Sequence, residues 1–210
     1  MEGKIVVFKY VGNKWKYIDG YNCCSSNCGN TNNPISFCKE GTGFPKIKSN
    51  TKIEYINCSE KNGHIRFLII VAENYFLKPI GESIQTFTLY YSEAELKFDK
   101  NEFIYIGLGN ENDNIYLFPK YKSINYAFQD NLTSIKLPSF NYKTNDIIGC
   151  GLVYPPPKLN NKLPYIFFTQ NGKQIGKAIL IGQNCEDFKP YVVLGYCSVE
   201  ANFGNNSFYL

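Results

Sequence analysis

Two glutamates, Glu93 and Glu95, stand two apart in the strand-like run Thr86–Phe98. Alternate residues of a strand face the same side, so the pair shares one face. A retaining glycoside hydrolase needs such a pair, with its carboxyl groups about 5–5.5 Å apart. Asp99 falls beyond the strand, however, so no third carboxylate is in register. Catalysis by Ser-His-Asp or Cys-His requires a histidine base. The only histidine, His64, follows Asn62-Gly63, where a turn is expected. Cys23, Cys24, Cys28 and Cys38 cluster in sequence, but structural zinc sites are built from two C-x₂₋₄-C knuckles. Only Cys24–Cys28 has that spacing, so a disulfide or reduced thiols fit the loop better than a metal. Gly107-Leu108-Gly109 lacks both the third glycine and the following helix of a phosphate cradle. The expectation is a protein without catalytic residues, bound metal or cofactor.

Composition narrows the partners. Arg66 is the only arginine, and the lysines are scattered singly through a chain of formal charge +4. Arginine supplies the fork that reads phosphate and guanine, so a nucleic-acid partner is not expected. No apolar run approaches the roughly 20 residues of a membrane-spanning helix. The start, Met1-Glu2-Gly3-Lys4 before Ile5-Val6-Val7-Phe8, is too short in apolar length for a signal peptide, so the chain as written reads as cytoplasmic, and a monomer is expected. The eight cysteines pull the other way, toward an oxidising compartment.

The elements that must position any site are strands. There are 17 Tyr and 16 Phe against one Met, a balance that favours β structure. Residues 4–10 and 14–18, around Gly12-Asn13, read as a hairpin. Residues 20–50, rich in Gly, Asn, Ser, Cys and Pro, read as an irregular loop. Strands are predicted at 53–57, 65–73, 86–98, 103–108, 125–128, 147–153, 165–169, 174–181, 191–194 and 198–203. Breakers such as Asn62-Gly63, Asp99-Lys100-Asn101, Pro155-Pro156-Pro157 and Asn171-Gly172 separate them. Short strands at such intervals indicate a sandwich or barrel. Cys150 and Cys197 are read as small buried apolar residues within strands.

Several segments occur in a recognisable order. Asp146-Ile147-Ile148-Gly149-Cys150-Gly151 resembles the "D-x-I-G-C-G" strand of SPRY domains. Phe167-Phe168-Thr169-Gln170-Asn171-Gly172 resembles that family's "F-F-T-x-N-G" hairpin. Tyr191–Gly195 followed by Val199-Glu200-Ala201-Asn202-Phe203-Gly204 is similar to its closing strands. Tyr90-Tyr91-Ser92-Glu93-Ala94 and Ile104–Leu108 match two earlier ones. The resemblance implies an all-β, lectin-like (concanavalin A-like) two-sheet antiparallel β-sandwich of SPRY type. Its core would be residues 86–210, with residues 1–85 packing as part of the same sandwich. The Trp15 hairpin and the cysteine loop look more like the SPRY proteins of plant-parasitic root-knot and cyst nematodes.

The resemblance also implies a non-catalytic module that binds a protein or peptide through loops at one end of the sandwich. Val193-Leu194-Gly195 occupies the family's "V-W-G" position, with Leu194 in place of Trp. Lys78-Pro79 loosely resembles a proline-containing loop that contributes to the same surface. Tyr116, Phe118, Tyr121 and Tyr126 are read as an aromatic loop near that face. The expected binding residues are therefore Pro79, Tyr116, Tyr126, Val193, Leu194 and Gly195. A glycan-binding lectin is the alternative, and a hydrolase using Glu93 and Glu95 the remote one.

Overall fold

A computed structural model describes residues 5–19, 43–57, 68–81, 85–98, 103–128, 131–159, 161–182 and 187–209. The Cys23–Cys38 cluster, His64 and Arg66 lie outside the described residues. Among the described residues, fifteen strands account for nearly all the regular structure. The N-terminal third carries β1 (Val6–Phe8), β2 (Trp15–Asp19), β3 (Gly43–Ile47), β4 (Lys52–Asn57) and β5 (Leu68–Ala72). The middle holds β6 (Phe87–Lys97), β7 (Phe103–Gly109), β8 (Asn114–Phe118), β9 (Ser123–Phe128) and β10 (Asn131–Lys136). The rest are β11 (Ile147–Tyr154), β12 (Tyr165–Gln170), β13 (Lys173–Leu180), β14 (Lys189–Gly195) and β15 (Ser198–Asn202). One 3₁₀ turn, Pro119–Tyr121, joins β8 to β9.

The strands form two sheets. Eight make the first, in the order β13-β12-β11-β6-β15-β4-β3 with β1 beside β6. Seven make the second, in the order β10-β9-β8-β7-β14-β5-β2. Pairing is antiparallel throughout, except that β1 runs parallel to β6. Period-two alternation builds the core. Tyr90, Ala94 and Leu96 of β6 and Ile148, Cys150 and Leu152 of β11 face inward from the first sheet. Ile104, Ile106 and Leu108 of β7 and Val192 and Leu194 of β14 face them from the second. The lone Trp15 is buried between the sheets, its indole N–H donating to the Thr51 carbonyl at 2.8 Å and its ring edge-on to Phe203.

Three sequence expectations are corrected here. Residues 4–18 do not form a hairpin, because β1 joins the first sheet and β2 the second, where it pairs with β5. Gly12-Asn13 is instead part of the crossing between sheets, and the buried Asn13 amide bonds the backbone of Asn74 in both directions. Residues 43–47, read as part of an irregular loop, form the edge strand β3, where Pro45 is tolerated because a proline can sit on an edge. Tyr116, Phe118 and Tyr126 lie in strands β8 and β9, and only Tyr121 is in the turn between them.

Asn171-Gly172 behaves as its sequence predicts. Both residues take positive φ, 49° and 80°, closing the β12–β13 hairpin.

Candidate functional site: a tyrosine groove at one end of the sandwich

The residues that carry the motif resemblance are engaged with one another. On the outer face of the first sheet, the Tyr91 hydroxyl and the Thr169 hydroxyl lie 2.6 Å apart directly above Gly149. A Cβ on Gly149 would collide with both. The Glu93 carboxylate accepts from the Asn202 amide at 3.1 Å and from the Tyr209 backbone N–H at 3.3 Å. Phe208 packs edge-on against Tyr91 at 4.9 Å. Glu93 is thereby buried beneath the C-terminal residues and holds them to the sheet. Glu95 shares its face, as expected, but pairs with Lys97 at 3.3 Å.

Burial, only partly offset by the hydrogen bonds from Asn202, Tyr209 and Tyr91, holds the Glu93 pKa above the usual carboxylate value. A raised folded-state pKa gives stability that is full below the unfolded value and is lost as pH rises through the folded one. The stability advantage of wild type over Glu93→Gln should therefore shrink as pH rises from acid toward neutral. Denaturation midpoints of both proteins across that range test this. A constant difference would remove the buried, raised-pKa carboxylate.

Cys150 and Cys197 are buried as the sequence suggests, and burial pushes the Cys150 thiol well up, which makes Cys150 a poor nucleophile. Among the described residues no group of three or more His, Cys, Asp or Glu side chains is placed to hold a metal ion.

The open chemistry lies on the outer face of the second sheet. Tyr191 and Val193 of β14, Tyr105 of β7 and Tyr116 of β8 point outward there and line a groove of about 990 Å³. Register places Gly107 opposite both Tyr191 and Tyr116, which opens a notch between the two rings. Gly109 does the same for Tyr191 at the next position, since a Cβ there would lie 3.1 Å from its ring. The Tyr105 and Tyr116 rings pack at 4.5 Å between centroids. Burial, and then the neighbouring phenols Tyr116 and Tyr121, push the Tyr105 hydroxyl up to about 12, so it is a neutral O–H donor at physiological pH. Lys16, Glu73, Tyr75, Lys189 and Glu111 rim the groove at one end. Glu73 is bound there by Lys16 at 2.9 Å and by Lys14 at 3.3 Å.

The same end continues past the groove. Residues 73–81 cross from β5 toward β6, pinned where Phe76 bridges to Phe188. They leave Tyr75, Leu77 and Ile80 exposed, Ile80 at 87%. Beyond them Pro79 lies in a hollow of about 200 Å³ with Tyr154, Pro155, Pro156 and Pro164.

Among solved structures, the chain is similar to a human SPRY domain, with a TM-score of 0.52 and 16% identity over 76% of this chain and 95% of that one. The fold is a SPRY-like β-sandwich. A basic winged bean lectin solved with Tn-antigen gives a TM-score of 0.41 and 7% identity, covering 75% of this chain and 90% of the lectin. No protein-family profile and no curated protein matches the chain.

The SPRY-like sandwich distributes the expected binding residues unevenly. Val193 and Tyr116 come together in the groove. Leu194 faces the opposite way, fully buried in the core, so its side chain does not meet a partner. Gly195 ends β14 against Phe103, at the far end of the sandwich from Pro79. Tyr126 pairs with Ile115 on the inner face of β9 and packs against the core. The residues that sequence reasoning missed are Tyr105, Tyr191, Tyr75 and Lys189. Tyr105 and Tyr191 alternate with core residues along their strands, and that alternation alone marks them as outward-facing aromatics.

Proposed function

We propose that this protein is a non-catalytic protein-interaction module that binds its partner through the groove and the 73–81 crossing at one end of the sandwich. The observation that carries the reading is a large aromatic groove on a SPRY-like fold, continuous with exposed apolar residues. Its volume is at the upper end of ligand pockets, and tyrosine gives large contact area at low entropic cost. Sites on loops and faces of a rigid sandwich are the usual way such folds acquire function.

The resemblance to nematode SPRY proteins extends the proposal to an effector or adaptor acting on a host or cellular protein. A glycan ligand is the competing reading, because tyrosine faces also stack on sugars. Affinity capture with the purified chain, analysed by mass spectrometry beside a glycan array, separates the two. Reproducible capture of a protein, lost with Tyr116→Ala, supports the module. Array binding without a captured protein overturns it.

A further inference from the structure

The groove rim carries two lysines, Lys16 and Lys189, and two glutamates, Glu73 and Glu111, and the strip beside it adds Lys9 and Lys14 to give an excess of positive charge at this end. Tyr191 is 7% exposed, lines the groove, and its hydroxyl makes no hydrogen bond among the described residues. The ring is packed but the hydroxyl reaches solvent, so it is open to donate to a ligand oxygen in exchange for water. Tyr105, Tyr116 and Tyr191 line the groove together, and burial raises the pKa of all three, so each presents a neutral O–H. Three lysines at this end sit over aromatic rings instead of beside carboxylates. Lys189 lies 4.1 Å from the Tyr75 ring centre, Lys9 lies 5.8 Å from Tyr90, and Lys162 lies 5.8 Å from Phe87. None of the three is in an ion pair among the described residues. Glu73 is already neutralised by Lys14 and Lys16, which leaves Glu111 as the one opposing carboxylate on the groove rim among the described residues.

From this we infer that the groove takes an acidic segment of a partner protein in extended conformation. Carbonyl and carboxylate oxygens of the segment accept from the Tyr105, Tyr116 and Tyr191 hydroxyls. Its acidic side chains meet Lys189 and, along the 73–81 crossing, Lys9. Its apolar or proline side chains pack on the tyrosine rings, as extended peptides do in aromatic-lined grooves. The inference rests on the protein-interaction reading and names the chemistry of the partner.

A random-sequence peptide display library selected on the full chain tests it. The most enriched peptide is then synthesised and titrated against four proteins. Enrichment of Asp and Glu is expected, with affinity falling as salt rises. Lys189→Glu should weaken binding about tenfold by reversing a rim charge. Tyr191→Phe removes only the hydroxyl and should weaken it about fivefold, while its unfolding midpoint stays at the wild-type value because no internal bond is lost. Leu132→Ala, on the exposed edge strand β10, should bind as wild type. Neutral or basic peptides in the selection overturn the inference, as does equal binding by Tyr191→Phe and Lys189→Glu. A captured protein that ignores both substitutions sinks the groove assignment and leaves the module standing. Peptide binding of the expected kind without any captured protein leaves the groove standing and sinks the module.

Discussion

Gly107→Ala is expected to destabilise the protein by about 3 kcal/mol or more, near the upper range for a single added methyl. Gly107 lies in β7 between two groove tyrosines, paired with Tyr116 on one side and Tyr191 on the other. A Cβ there would run into the Ile115 carbonyl oxygen and come within 2.7 Å of the Tyr116 Cα. Both are backbone atoms of the neighbouring strand, so no rotamer change relieves the contact. β7 and β8 would have to separate, and that disturbs Ile106, Leu108, Ile115 and Leu117, all fully or almost fully buried. Gly109→Ala is the control. Its Cβ meets the Asn114 side-chain oxygen and the Tyr191 ring, which can shift, so a loss of about 1 kcal/mol is expected. Urea denaturation of the two variants gives the comparison. Equal stability of both would mean that β7 and β8 do not approach as closely as the structure has them.

This pair of glycines also shows what was legible in the sequence. Alternating apolar residues in β6, β7, β11, β12 and β14 announce strands, because each is half core and half outer face. The edge strands were harder. β3 contains Pro45, and β10 exposes five of its six residues, so neither presents the buried stripe that alternation detects. The false hairpin at 4–18 has a similar cause. Two β-prone runs around Gly12-Asn13 carry the local signal of a tight turn, whereas their sheet membership is decided by distant partners, Phe87–Leu89 for β1 and Ile69–Ala72 for β2.

The recognisable motifs identify the fold and say little about the site. Tyr91, Thr169 and Gly149 meet at one point, and Glu93 meets Asn202, so segments far apart in sequence are matched because they hold each other. The groove lies on the other sheet and draws on residues between the motif letters. Position within a motif therefore pointed to Leu194, which is core, while its neighbours Tyr191 and Val193 face the groove. Which side of β14 faces out follows from register, and register is a tertiary property.

Asp146 shows how much one such motif residue carries. Its carboxylate is buried and accepts from the Lys143 backbone N–H at 2.8 Å, the Gln170 amide at 2.8 Å and the Asn171 amide at 2.9 Å. Asn171 in turn accepts the Ile147 N–H, so the start of β11 and the β12–β13 turn are tied through this one group. Asp146→Ala leaves these donors without their acceptor and is expected to cost about 3 kcal/mol, with Asp146→Asn intermediate. Burial alone would raise the Asp146 pKa, but the bonds from Asn171, Lys143 and Gln170 outweigh it and hold the group below the usual range. A lowered folded-state pKa gives stability that is present above the unfolded value and lost as pH falls through the folded one. Glu93 has the opposite sign and titrates at a higher pH. Acidification from neutral should therefore first add stability, as Glu93 takes up its proton, and then remove it as Asp146 does. Midpoints measured against pH should show that maximum in wild type. Glu93→Gln should lose the rise and Asp146→Asn should soften the fall. A curve that falls from neutral pH onward in all three proteins would contradict the opposed environments of these two carboxylates.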